Sequence, residues 1–241
     1  MKPLFVSIQN TVLATILSAA IIPGGAAFAN TGDSSVSLLT ANFEQRHVVQ
    51  VEVGDFHFAP GQVAPIHTHT APAIGYVTKG MIIYQLENGK PQILRAGDAF
   101  FEPSGTRVLR FDNASATEEA IFIDFNLEQR DEPFIVFEEQ PTQPIDRRTL
   151  PTVALGDAGK AITQTEVVAT ELAPGGSIAL TPGELTLGLV AEGVIEFNAA
   201  GKTAQRIVAG STFTVPTNGI ETSLTNGSVE TSAKVITFTL R

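Results

Sequence analysis

Gly75-Tyr76-Val77-Thr78-Lys79-Gly80 returns as Gly188-Leu189-Val190-Ala191-Glu192-Gly193, and this repeat decides how the rest of the chain is read. At nearly the same offset, about 113 residues, Ala59-Pro60-Gly61 matches Ala173-Pro174-Gly175, Gly97 matches Gly210 and Pro103 matches Pro216. Further on, Asn113-Ala114-Ser115 matches Asn226-Gly227-Ser228, and Phe122-Ile123-Asp124-Phe125 matches Val235-Ile236-Thr237-Phe238. Matches that keep their spacing over so long a stretch predict two copies of one fold in tandem.

Between these landmarks the chain consists of short runs of β-branched and aromatic residues, such as 48–53, 81–86, 120–125 and 235–240. Helical periodicity over three turns is almost nowhere present. Asn88-Gly89 suits the positive φ of a two-residue hairpin turn. The predicted class is all-β. The first copy spans 42–137 and the second 160–241, joined by a linker over 138–159 whose Pro141, Pro144 and Pro151 predict an irregular strap across the surface. The small, polar residues 30–41 read as a mobile N-terminal tail.

Residues 1–29 read as a secretory signal peptide: Lys2, an apolar stretch over 12–22, and Ala27-Phe28-Ala29 as the cleavage pattern. A secreted or periplasmic protein is expected, with no membrane attachment after cleavage. Removing the leader takes the formal charge from −10 to −11, which disfavours nucleic acid and anionic lipid as partners. The chain has no cysteine, so disulfides, thiolate ligands and cysteine nucleophiles are excluded and oxygen and nitrogen groups must supply the chemistry.

Three of the four histidines lie between positions 57 and 69. In an extended strand residues two apart share a face, so His67 and His69 can aim two imidazoles at one point, as half of a transition-metal site does. His57 alternates with Phe56 and Phe58, which read as the buried set, and is expected to face outward. Glu102, out of phase with Phe101 and Pro103, is likewise expected on the outer surface, and Asp112 gives no stronger signal. Arg110, two residues beyond Val108, would share a face with it and bring a cation to the histidine pair if Val108 points inward, which suggests an anion-binding pocket.

Gly61-x5-His67-x-His69 with Gly80, followed by Gly97-x5-Pro103-x-Gly105, resembles the two motifs of the cupin superfamily. The resemblance covers both copies and implies two tandem cupin β-barrels of jelly-roll type, a bicupin packed as a pseudo-symmetric pair. It implies a metal site of two histidines and a glutamate from the first motif and a third histidine from the second. His67 and His69 match. The glutamate position falls on Ala73 and the last histidine position on Val108, or on Arg107 or Leu109 in another register, because one extra residue stands between Pro103 and Asn113. The second copy carries Thr181 and Gly183, or Leu180 and Pro182, where the first has its histidines, and is expected to be degenerate and structural.

Three classes of function follow. One is a binder of a small molecule, for instance an anionic one, using His67, His69 and Arg110 with a weakly held divalent metal (Fe, Mn, Zn or Ni). The second is a metal-dependent oxidoreductase, dioxygenase-like, or an isomerase. The third is a structural protein with vestigial histidines. The expected assembly is a monomer holding both copies, or a homodimer.

Overall fold

The computed structural model describes residues 32–241; the leader expected over 1–29 lies outside them. The described residues contain twenty strands and no helix. The first half holds β1 (Ser34–Val48), β2 (Gln50–Phe58), β3 (His67–Thr68), β4 (Ala73–Lys79), β5 (Met81–Leu86), β6 (Gln92–Arg95), β7 (Ala99–Glu102), β8 (Arg107–Asn113), β9 (Ala120–Glu128) and β10 (Val136–Phe137). After β11 (Asp146–Thr149) and β12 (Val153–Ala154) come β13 (Lys160–Leu172), β14 (Ser177–Leu180), β15 (Leu185–Glu192), β16 (Val194–Ala199), β17 (Gln205–Val208), β18 (Thr212–Thr214), β19 (Thr222–Asn226) and β20 (Ala233–Leu240).

These strands form four antiparallel sheets, so the all-β expectation holds. In the first half an inner sheet, β11-β2-β9-β4-β7, packs on an outer sheet, β10-β3-β8-β5-β6, around Phe56, Phe58, Phe100, Phe111 and Phe122. In the second half an inner sheet, β1-β13-β20-β15-β18, packs on an outer sheet, β14-β19-β16-β17. The two inner sheets meet back to back through Val53, Ile74, Ile123, Leu187, Leu189 and Ile236. Phe125 and Phe238, equivalent residues of the repeat, lie across this seam with ring centroids 4.3 Å apart. Each inner sheet is therefore covered on both faces.

The tail and the linker are corrected by the pairing. From Ser34 onward the expected tail is a strand that crosses to the second half and pairs with β13 over Ser34↔Glu171 to Val48↔Lys160. The linker does the reciprocal thing: β11 and β12 pair with β2 of the first half, Asp146↔His57 and Val153↔Val51. One repeat length separates β1 from β11 and β12, so both are the leading strand of a copy, each given to the other copy's sheet. Exchange covers the edges of β2 and β13, which would otherwise expose unpaired N–H and C=O groups.

The same polar joint stands at equivalent positions in the two halves. The Asn113 side-chain amide lies 2.8 to 3.1 Å from the carbonyls of Phe58, Ala59 and Glu118, and that of Asn226 lies 2.8 to 3.1 Å from those of Leu172, Ala173 and Thr231. Gly75 and Gly188 lie under the rings of Phe100 and Phe213, where an added Cβ would come within 2.0 Å of ring carbon.

Candidate metal centre

His67 sits on β3 with Val108 as its partner on one side and Phe137 on the other, and His69 follows on the same face. Both are buried, at 4% and 2% exposure. Each ring is fixed at Nδ1, which donates to a backbone carbonyl that can only accept: Pro65 for His67 and Phe134 for His69, both at 2.8 Å. The Nε2 atoms are left to face the interior, and there they meet Glu102.

Glu102 is 2% exposed, with one carboxylate oxygen 3.0 Å from His69 Nε2 and the other 3.9 Å from His67 Nε2. One donor atom from each of the three residues falls within 4.8 Å of the others. The outward position expected for Glu102 is thereby corrected. Alternation along β7 holds, but neither face is an open surface: Ala99 and Phe101, partly buried, pack on the seam between the halves, while Phe100 and Glu102 are buried facing the first-half interior. The second copy carried the signal that would have shown this. There Thr212-Phe213-Thr214-Val215 marks the inward positions with apolar residues, and Glu102 is the equivalent of Val215. Ala73, where the resemblance placed a glutamate, stands directly opposite Glu102 in the β4–β7 ladder.

A neutral imidazole protonated at Nδ1 presents a lone pair at Nε2, and a lone pair facing a carboxylate 3.0 Å away is repulsive unless a proton or a cation lies between. Burial pushes the His69 value down, but the charge and hydrogen bond of Glu102, with the charge of Asp124, outweigh it and raise it to about 9. His67 is lowered, burial outweighing Glu102. The farther oxygen of Glu102 is buried without a hydrogen-bond partner. Two anchored nitrogens and a carboxylate with an unpartnered oxygen fit a divalent transition metal with open positions.

Beside the three ligands lies a cavity of about 30 Å³ available to the centres of water-sized molecules. Phe56, Phe58, Phe111 and Phe122 form apolar walls, Ile135, Phe137 and Ile145 come from the stretch between β9 and β11, and Asp124 supplies a fourth polar side chain. Burial, opposed by His69 and reinforced by Glu102, raises Asp124 to about 7.

Arg110 is not brought to the pair. Leu86 pairs with Val108 and Gln85 with Arg110, so Leu109 is an extra residue in the ladder and resets the alternation. Val108 and Phe111 both point inward, and Arg110 is turned out beside Asp112, its Nε donating at 2.8 Å. This bulge is the extra residue counted between Pro103 and Asn113. His57 lies on the face of β2 opposite Phe56 and Phe58, but it is not an open surface position: its side chain is 11% exposed, between Glu119 and Asp55.

Residues 54–126 match the cupin domain family. No curated protein matches the chain in sequence. Among solved structures it resembles the salicylate 1,2-dioxygenase of Pseudaminobacter salicylatoxidans (TM-score 0.55, 16% identity, 80% of this chain and 71% of that one). It also resembles AerE from Microcystis aeruginosa (0.56, 16%, 85% and 98%) and vicilin from Capsicum annuum (0.61, 13%, 80% and 76%). At these identities the likeness is one of fold, shared by a dioxygenase and vicilin alike. The chain thus contains a cupin-superfamily domain, and that domain is the half in which His67, His69 and Glu102 converge.

Proposed function

We propose that this protein is an exported bicupin that binds a divalent transition metal on His67, His69 and Glu102 and, at its open positions, a small molecule. The placement of Glu102 against the free nitrogens of both anchored histidines carries this reading. Bound there, the metal would supply a Lewis acid in a water-poor pocket. The carbonyls of Pro65 and Phe134 orient the imidazoles, and the phenylalanine walls hold the apolar body of the ligand. Elemental analysis of the mature protein tests it: one Fe, Mn, Zn or Ni per chain that is lost in Glu102→Gln supports the reading. No uptake of any of the four after dialysis overturns it.

A metal-dependent oxidoreductase or isomerase is the second reading, because two histidines and one carboxylate with open positions are the donor set of non-haem iron oxygenases. Dioxygen uptake by the Fe(II)-loaded protein with a panel of small organic substrates separates it from simple binding.

A further inference from the structure

Asp124 is a buried carboxyl in the cavity wall, 3% exposed, with Oδ1 lacking any hydrogen-bond partner. Its row of the inner sheet supplies no side chain on either flanking strand. Its ladder partners are Gly54 on β2 and Gly75 on β4, which contribute no side chain. The ring of Phe56 lies over Gly54 and that of Phe100 over Gly75, where an added Cβ would come within 2.6 and 2.0 Å of ring carbon. The nearby cation, Arg147, donates through a terminal nitrogen to Glu52 and stacks on Phe134 with its guanidinium carbon 3.8 Å from the ring centre; its buried Nε makes no hydrogen bond, and it reaches Asp124 by its charge alone. Asp124 is thus a buried carboxyl held among aromatic rings in the cavity lining, one of its oxygens without a hydrogen-bond partner.

The second copy shows that the fold does not require acids at these positions. Where the first half has Glu102 and Asp124, the half without histidines has Val215 and Thr237. Both are buried, Thr237 on β20 and Val215 directly after β18, and Gly188 flanks Thr237 as Gly75 flanks Asp124. The buried acids occur together with the histidine pair. Among the described residues, the cavity lining contains two carboxyls, two imidazoles and apolar groups, and no lysine or arginine. The anionic ligand expected through Arg110 has no counterpart cation here.

We propose that Asp124 is the second polar anchor of the cavity, accepting a hydrogen bond from a hydroxyl or amino group of a compact, otherwise apolar ligand whose other end lies at His67, His69 and Glu102. This selects a donor-bearing small molecule, an alcohol or an amine, over a simple carboxylate. It rests on the reading of the cavity as a ligand site. A buried acceptor without a partner forfeits its hydration, and a ligand donor returns it. A ligand lacking the donor leaves the acceptor unpaired, which is how a polar site discriminates.

The test uses n-propylamine, 1-propanol and propionate, similar in size and different in head group. Their affinities are measured by ligand-observed NMR on the metal-free and the metal-loaded full chain, for wild type, Asp124→Asn and Asp124→Leu. The expected result is at least tenfold weaker binding of the amine in Asp124→Asn, at least tenfold weaker binding of amine and alcohol in Asp124→Leu, and propionate unchanged or tighter in both. Loss of the amine alone in Asp124→Asn assigns an ammonium donor; loss of the alcohol only in Asp124→Leu assigns a hydroxyl. Either donor probe failing to bind the wild type at millimolar concentration, or both being indifferent to both substitutions, overturns the proposal. So does loss of metal from Asp124→Asn, which would make Asp124 a ligand. A wild type that takes up no metal counts against the metal centre alone, because the metal-free arm still reads Asp124. Near-isosteric Asp124→Asn, checked by thermal melting, guards against a folding artefact.

Discussion

Ala73 and Glu102 face each other across the β4–β7 ladder, with Asn126 on β9 completing the row. Directly opposed residues on adjacent strands project to the same side of a sheet with their Cβ atoms about 5 Å apart. A carboxylate carried on β7 at this register therefore reaches the space that one on β4 would fill. The histidine pair keeps an acidic partner although the neighbouring strand supplies it.

That relationship predicts a rescue. Glu102→Ala should abolish stoichiometric metal, a larger loss than the roughly 10–100-fold that removing an outer-shell partner costs. Adding Ala73→Glu to Glu102→Ala should restore a substantial part of the affinity, read by metal titration against a competing chelator. A double variant no better than Glu102→Ala would show that the two strands are not interchangeable as carboxylate donors.

In the metal-free chain the His69 value of about 9 lies above its ordinary 6.5. Its contribution to stability is then fully present below about pH 6.5 and lost as pH rises to about 9. Melting temperature of the chelated protein should fall across that window, and His69→Gln should flatten the fall. Metal must displace the same proton, so the logarithm of apparent affinity should rise by about one per pH unit up to about 9 and level off above it.

Gly75 and Gly188 make the same close contact in the two halves, with the Cβ of an alanine falling within 2.0 Å of Phe100 and Phe213 respectively. Gly75→Ala and Gly188→Ala should each destabilise by an overpacking cost of about 1–3 kcal/mol or more in denaturant melts. Only Gly75→Ala should also weaken metal binding, because Phe100 shares its face of β7 with Glu102. Equal metal affinity in the two variants would contradict that assignment.

Phe125 and Phe238 are 2% and 1% exposed at the seam between the halves. Truncating either to alanine should cost about 3–5 kcal/mol, the range for a buried phenylalanine. Metal stoichiometry of the folded fraction should stay unchanged, since both residues project to the side of the inner sheets away from His67 and His69. Chemical denaturation followed by metal analysis of the native fraction checks both.

Much of this was legible before folding. The repeat, the β class and the shared face of His67 and His69 depend on spacings of a few residues or on likeness between segments, which a linear chain displays directly. The same alternation separates His57 from the buried Phe56 and Phe58. Three other features depend on neighbours distant in sequence. The face of Glu102 cannot be read locally, because alternation separates two faces without saying what each one meets, and here one is buried and the other partly buried. Simple alternation would put Arg110 on the face of Val108; the bulge at Leu109 reverses it, and only the pairing of β8 with β5 reveals the bulge. Residues 34–41 looked like a tail because their partner, β13, lies more than a hundred residues away. Local periodicity thus set the strands and the imidazole pair, whereas the carboxylate that completes the site, the direction of Arg110 and the exchange of leading strands were decided by long-range pairing, which fixes which side of each strand meets which neighbour.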